Sequence, residues 1–392
     1  MNNERWILPE GIEELLPQDA YRIELLRRQL LDMFSTWGYE LVIPPFLEYT
    51  ESLLTGIGSD LDLQTFKLVD QKSGRMMGIR ADMTPQVARI DAHQLGREQP
   101  TRLCYMGTVL RTHADDLSNK RSLMQIGAEL YGHDGVASDL EVIRLMLAML
   151  QRIGLDDIYL DLGHVDIFRS LAKQAKLDRQ QENLLFDALQ RKAAPEITAI
   201  LEQAKIPAAT QSMLSELIWL NGGVDMLKKA RKTLKAAANN VQKAIDSLEF
   251  IAAQLLKLNP QIELHFDLAE LRGYNYHTGA VFAAYKPGAG QSIAQGGRYD
   301  HIGQVFGRAR PATGFTADLR ALMEYSSIVN GVEPGIFAPC VDDDTLTQTI
   351  DELRAQGNRV ITGLPGQTGD ARAMGCDRKL EKQNDKWVVV NA

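Results

Sequence analysis

Cysteine is scarce in this sequence. Cys104, Cys340 and Cys376 are the only three, and none sits in CxxC spacing, which excludes a disulfide framework and a cysteine zinc site. No apolar run approaches the roughly 18 residues needed to cross a bilayer. Residues 1–4 carry no basic segment followed by an apolar one, so no secretory signal is read and the chain is expected to work in the cytoplasm, away from membranes. Positive charge is in deficit, with 43 Lys and Arg against 51 Asp and Glu and a formal net charge of −8; a large nucleic-acid footprint would need basic charge clustered on one face. Walker A, GxSxG and GxGxxG motifs are absent, and seven scattered histidines make no HExxH spacing.

What is present is an ordinary globular composition, 45% hydrophobic and 24% charged, which argues against a disordered or coiled-coil chain. At about 100–200 residues per domain, 392 residues allow two or three. The periodicity predicts a helix over 19–37 that Gly38 stops, and short strands over 40–43, 65–69 and 75–79. A helix over 84–96 is started by Pro85 and closed by Gly96, antiparallel strands run over 101–111 and 122–131, and a helix covers 138–153. After a strand over 157–162, residues 165–258 read as a helical insertion broken at Pro195, Pro207 and Gly222-Gly223. Strands follow at 262–268 and 280–285, with turns at 287–290 and Gly296-Gly297 and a helix near 315–325. From 335 onward a strand (336–341), a helix (345–356) and a strand (359–362) suggest a small α/β unit.

Polar residues on the strands carry the functional signal. Alternation puts Arg121, Leu123, Gln125, Gly127 and Glu129 on one face, a row that suits a polar ligand or a solvated sheet face. Two further segments, 80–85 and 271–279, concentrate donors and acceptors at element ends. Asp82 and Glu129 suit an ammonium group, and Arg272 or Arg111 a carboxylate, so together they suit a small zwitterion. Gln295-Gly296-Gly297-Arg298-Tyr299-Asp300 adds glycines that let a ligand approach the backbone. His277, among these groups, fits a hydrogen-bonding role better than metal ligation. The run Lys228, Lys229, Arg231, Lys232 and Lys235 has no interleaved aromatics and reads as a solvated helix face rather than an RNA patch.

In order, Pro44-Pro45-Phe46-Leu47-Glu48, residues 80–89, residues 111–129, Arg272 to His277 and Gly296 to Asp300 resemble the catalytic core of histidyl-tRNA synthetase, a class II aminoacyl-tRNA synthetase, over roughly residues 5–325. The resemblance implies an α+β fold, an antiparallel sheet flanked by helices with a helical insertion and a small C-terminal α/β module. The core would be 1–164 with 259–328, the insertion 165–258 and the module 329–392. It also implies a histidine pocket made of Asp82, where the synthetases carry Glu, with Thr84, Arg111, Gln125, Glu129, Arg272 and Tyr276. His277 replaces a second tyrosine.

The departures from that family concern ATP. The motif 2 glutamate position reads His113, the adenine-stacking position reads Leu123, and Ala321 stands where the motif 3 arginine belongs. Losing an arginine against a phosphate oxyanion typically costs several kcal/mol of transition-state stabilisation. A histidine pocket without ATP chemistry or tRNA binding is similar to the regulatory subunits of ATP phosphoribosyltransferase, synthetase paralogues of histidine biosynthesis. That likeness implies no catalytic residue, no metal and no cofactor. It implies a homodimer within a hetero-oligomer with the short-form catalytic subunit, and histidine as feedback effector. Segment 112–120, which joins two strands carrying pocket residues, reads either as a relay of pocket occupancy or as a solvated loop. An active ligase using ATP and Mg²⁺ on a tRNA or another carrier, and a stand-alone amino-acid-binding protein, are the alternatives.

Overall fold

The computed structural model describes residues 6–55, 59–114, 119–271, 273–274, 276–326 and 334–392. The chain divides into two compact units, Met1–Glu14 with Ile23–Ile328, and Leu15–Arg22 with Val329–Ala392. In chain order the elements before the helical segment are α1 (Pro17–Thr36), β1 (Glu40–Leu41), β2 (Leu47–Tyr49), α2 (Thr50–Leu53), α3 (Ser59–Gln64), β3 (Lys67–Val69), β4 (Met76–Ile79), α4 (Thr84–Arg89), β5 (Thr101–Leu110), β6 (Ser122–Tyr131), α5 (Val136–Arg152) and β7 (Tyr159–His164). Then come α6 (Val165–Ala175), α7 (Arg179–Gln190), α8 (Ala194–Gln203), α9 (Ala208–Glu216), β8 (Asn221–Gly222), α10 (Asp225–Thr233) and α11 (Asn239–Leu258), followed by β9 (Glu263–Asp267), β10 (Ala280–Tyr285), β11 (Ala294–Arg298), β12 (Ala312–Asp318) and α12 (Leu319–Tyr325).

Among the described residues nine strands form the main sheet, in the order β1-β5-β6-β12-β11-β10-β7-β9-β8. It is antiparallel except where β1 meets β5 and β7 meets β9. Helix α1 buries Ile23, Leu26, Leu30 and Phe34, a single stripe at helical spacing. Phe34 meets Phe315 of β12 edge-on, ring centroids 6.1 Å apart. The predicted helix over 84–96 runs as α4 and then opens into a π-helical turn, Ile90–Leu95, before Gly96 ends it at φ +56°. The wider turn sets buried Asp91 against Arg310, at 2.9 and 3.1 Å.

Two sequence expectations are corrected here. Gly296-Gly297 lies inside β11 rather than in a turn, and Phe315 to Asp318 complete β12, so the last helix of this unit starts at Leu319. Both segments are hydrogen-bonded on either side, β11 between β10 and β12, and β12 between β11 and β6. Pairing on two edges overrides a local turn preference. In α10 Lys228 pairs with Asp225 at 2.9 Å, and Arg231 pairs with Asp246 and Glu249 of α11 at 2.6 and 2.7 Å. The basic run thus spends part of its charge on its own helices.

The second unit holds a four-stranded sheet in the order β14-β13-β15-β16, from β13 (Gly335–Ala338), β14 (Val360–Thr362), β15 (Cys376–Gln383) and β16 (Lys386–Asn391), with α13 (Asp344–Ala355) between β13 and β14. Ile336, Ala338, Leu346, Ile350, Val360 and Leu380 form its core. The side chain of Asp343 caps α13 by accepting from the backbone N–H groups of Thr345 and Leu346. The hairpin of β15 and β16 was not anticipated: β15 is largely polar, and β16 carries only a short apolar run, Trp387 to Val390. Its signal is Asn384-Asp385, both left-handed at φ +49° and +59°, as a tight two-residue hairpin requires.

Arg298, at the end of β11, is a structural hub rather than a ligand contact. It donates to Asp139 at 3.1 Å, to Ser138 at 2.7 Å, to the Gly135 carbonyl at 2.9 Å and to Asp300 at 3.1 Å, with its side chain 8% exposed and that of Asp139 6%. Breaking one side of such a buried pair leaves the other charge uncompensated. Arg298→Met is expected to lower unfolding free energy by about 3–5 kcal/mol in denaturant melts, and Arg298→Met with Asp139→Leu to recover part of that loss. A single variant within 1 kcal/mol of the parent would contradict this role.

Candidate functional site

The register of the sheet builds a trough across five strands. Glu129 on β6 pairs with Gly314 on β12, Gly314 with Gly297 on β11, Gly297 with Val281 on β10, and Val281 with Gly163 on β7. The adjacent row runs Gly127, Thr316, Gln295, Ala283, Asp161 and, on β9, His265. The first row, and Thr316, Gln295, Ala283 and Asp161 of the second, line a cavity of about 220 Å³ together with Asp82 and Thr84 at the start of α4, and with Glu270, Tyr276, His277 and Tyr299. Gly314 is required by close approach, since a Cβ there would run into the Glu129 carboxyl.

Glu129 is 1% exposed, and both of its oxygens are held. Oε1 accepts from Tyr105 Oη at 2.9 Å and Thr84 Oγ1 at 3.2 Å, while Oε2 accepts from Tyr299 Oη. Burial pushes its carboxyl up to about 8; the three hydroxyls act in the opposite direction, and the nearby Asp82 charge adds to the rise. Burial, and then the Glu129 charge, raise the phenols of Tyr105 and Tyr299 well above their usual range, so both stay protonated donors. Asp82 Oδ1 accepts from Gln125 Nε2 at 2.7 Å and from the Thr84 N–H at 3.1 Å, and Gln125 Oε1 accepts from the Met83 N–H at 2.8 Å. The turn into α4 is thereby fastened to β6. Tyr276 stacks on Tyr299, centroids 5.0 Å apart, and meets His277 edge-on at 5.4 Å.

Of the residues expected from sequence, Asp82, Thr84, Glu129 and Tyr276 meet at this cavity, and Gln125 stands behind Asp82. Arg272 lies outside the described residues. Arg111 does not reach the cavity. It lines a neighbouring one of about 540 Å³, where Gln295 and Thr316 form a shared wall. The sequence reading missed Asp161 and Glu270. Asp161 sits between buried Leu160 and Leu162 on β7, an alternation that would have flagged it, and its Oδ1 lies 2.8 Å from His265 Nδ1. No Lys or Arg side chain lines the smaller cavity among the described residues. With its carboxylates it favours a ligand carrying positive charge.

The larger cavity brings Arg111, Lys120, Leu123, Gln125, Asp318, Ala321 and Glu324 together. Lys120 is committed to Glu324 at 2.7 Å, and Asp318 accepts from the N–H groups of Met124 and Arg320. Arg320 turns to the Glu13 carbonyl at 3.3 and 3.4 Å. Leu123 offers no ring to a base, Ala321 no charge to a phosphate, and two carboxylates oppose a polyanion. Residues 115–118 of the expected relay segment lie outside the described residues.

The sequence profile of the histidyl-tRNA synthetase family matches residues 11–322, and that of the ATP phosphoribosyltransferase subunit HisZ C-terminal domain matches residues 333–390. The ATP phosphoribosyltransferase regulatory subunit of Thioalkalivibrio sulfidiphilus is 58% identical over 392 residues, covering 100% of this chain and 99% of that protein. The crystal structure of an ATP phosphoribosyltransferase regulatory subunit/histidyl-tRNA synthetase from Bacillus halodurans aligns with a TM-score of 0.81 at 29% identity, over 94% of this chain and 95% of that one. Histidyl-tRNA synthetase from Nostoc sp. PCC 7120 aligns with a TM-score of 0.77 at 18% identity, over 98% and 97%; that likeness concerns the fold alone.

The Glu129 cage has a pH signature. Its folded-state value lies above that of the unfolded chain, so its contribution to stability is whole below the usual glutamate range and is lost as pH rises through about 8. Glu129→Gln escapes this loss. Relative to the parent, the variant is expected to gain stability on the order of a few kcal/mol between about pH 5 and about pH 9. Denaturant unfolding at several pH values measures the difference, and a constant offset would show that Glu129 does not titrate as described.

Proposed function

This chain belongs to the family of ATP phosphoribosyltransferase regulatory subunits, a non-catalytic branch of the histidyl-tRNA synthetase fold, and we propose that its glycine-floored cavity is a sensor for free histidine. The observation that carries the reading is Glu129, a fully buried carboxyl held on both oxygens beside a cavity of about 220 Å³. Asp82, with Thr84 and Gln125 fixing its position, takes the α-ammonium group, and Glu129 and Tyr276 take the imidazole. Arg111 serves the carboxylate from the side of the larger cavity, and Arg272 is assigned to the same group from the sequence resemblance alone.

In this reading histidine is the feedback effector of an assembly in the cytoplasm with a short-form catalytic subunit. A homodimer of this chain forms part of that assembly. We also assign a core (1–164 with 259–328), a helical insertion (165–258) and a C-terminal module (329–392), the last supported by the profile match at 333–390. The charge balance of the larger cavity supports the absence of amino-acid activation, because binding a nucleotide needs base and phosphate groups held together.

Titration calorimetry is expected to find histidine binding, weakened about 2- to 10-fold in Glu129→Gln, since a hydrogen bond to a neutral carboxyl contributes roughly 0.5–1.5 kcal/mol. Unchanged affinity in that variant would move the histidine site elsewhere. Histidine-dependent ATP–pyrophosphate exchange is expected to stay at background; exchange above it would restore the ligase reading.

A further inference from the structure

The segment that carries Tyr276 and His277 into the cavity is gripped from behind by the first two helices of the helical insertion. Arg169 of α6 donates from Nη2 to the carbonyls of Tyr274 and His277, both at 2.9 Å. Its guanidinium also lies 4.9 Å from the Tyr274 ring centroid. That ring packs against Phe168 of α6 and Phe186 of α7, centroids 5.3 Å away in each case, and its hydroxyl donates to Glu182 of α7. Tyr274 is 6% exposed, so this contact is a buried plug. Just upstream, Gln190 Nε2 donates to the Ala269 carbonyl at 2.9 Å, and Lys192 pairs with Asp267 at 2.7 Å.

Two consecutive faces of one short segment therefore do different jobs. Its backbone carbonyls and Tyr274 are spent on α6 and α7, while Tyr276 and His277 face the cavity. The turn is tight, with the N–H groups of Tyr276 and His277 both bonding the Gly273 carbonyl at 2.8 Å. A displacement of Tyr276 thus carries the Tyr274 carbonyl and ring with it. We propose that Arg169 is a positioning residue for the cavity and that this clamp makes α6 and α7 respond to cavity occupancy, so that the helical insertion, not only the motif 2 side of the pocket, transmits the presence of histidine. The inference rests on the histidine reading of the cavity. It is reciprocal by necessity: whatever ordering a ligand imposes on the segment is shared with the helices, and whatever a partner imposes on the helices returns to the ligand as affinity.

The test uses the full chain with histidine as the probe, combining calorimetry with hydrogen exchange of peptides spanning 165–190. In the parent, histidine is expected to slow exchange in α6 and α7. Arg169→Met keeps the packing of the side-chain stem but withdraws the donor to both carbonyls. It is expected to weaken histidine binding about 10-fold, within the usual range of such couplings, and to abolish the slowing. Tyr274→Phe removes a single hydroxyl and will not compromise folding. It is expected to leave most of the affinity and to lose the slowing in α7. Arg231→Met, in the same helical region but distant from the clamp in its contacts, is expected to change neither readout, which separates positioning from general loss of stability. Parental affinity in Arg169→Met, or unchanged exchange over 165–190 in a parent that binds histidine, would overturn the coupling while leaving the sensor reading intact. A parent that binds no histidine would overturn both.

Discussion

Glu129 is held by hydroxyls from three distant parts of the chain: Thr84 where α4 begins, Tyr105 on β5 and Tyr299 just after β11. A carboxyl out of reach of water is tolerated only while such donors stay in place, so the spacing of these elements is not free to drift. Asp82 extends the same logic outward, since its hydrogen bonds to Gln125 and the Thr84 N–H fix the turn that delivers Thr84. On the far side of Tyr299, Arg298 and its ring of acceptors anchor the end of β11 to α5. The polar cluster thus dictates where two helices and three strands meet.

The two cavities draw on largely separate walls of this fold. The groups suited to holding an amino acid lie on β6, on the turn before α4 and on the segment after β9, whereas those that a nucleotide would need belong to β5, β6 and the start of α12. Among the described residues only Gln295 and Thr316 line both cavities. Leucine at 123 and alanine at 321 can therefore stand in the second cavity without disturbing the hydroxyl cage of the first. A scaffold divided in this way can lose the groups of one cavity and keep those of the other.

Much of this was legible in the sequence because it rests on local pattern. Glu129 and Gln125 announced themselves as charged and amide side chains at alternating positions of a strand that would otherwise be apolar, and the helical segment showed its 3.6-residue period throughout. What escaped depends on partners remote in the chain. Nothing local marks Arg298 as a buried hub for Asp139, 159 residues away, or Arg169 as the donor to carbonyls 105 and 108 residues on. The strand identity of Gly296-Gly297 is likewise supplied by neighbours on both sides, and neither the largely polar β15 nor the short apolar run of β16 shows the alternation that a strand with one buried face displays.

Gly314 has a consequence for descent. Because a Cβ at that position collides with the Glu129 carboxyl, filling the trough there demands two coordinated replacements, one of them at a residue tied into the packing of the whole unit. A lineage that ceases to use the pocket cannot close this part of it by a single codon change without damaging the fold. Vacant space of this kind therefore outlasts the loss of whatever first selected for it.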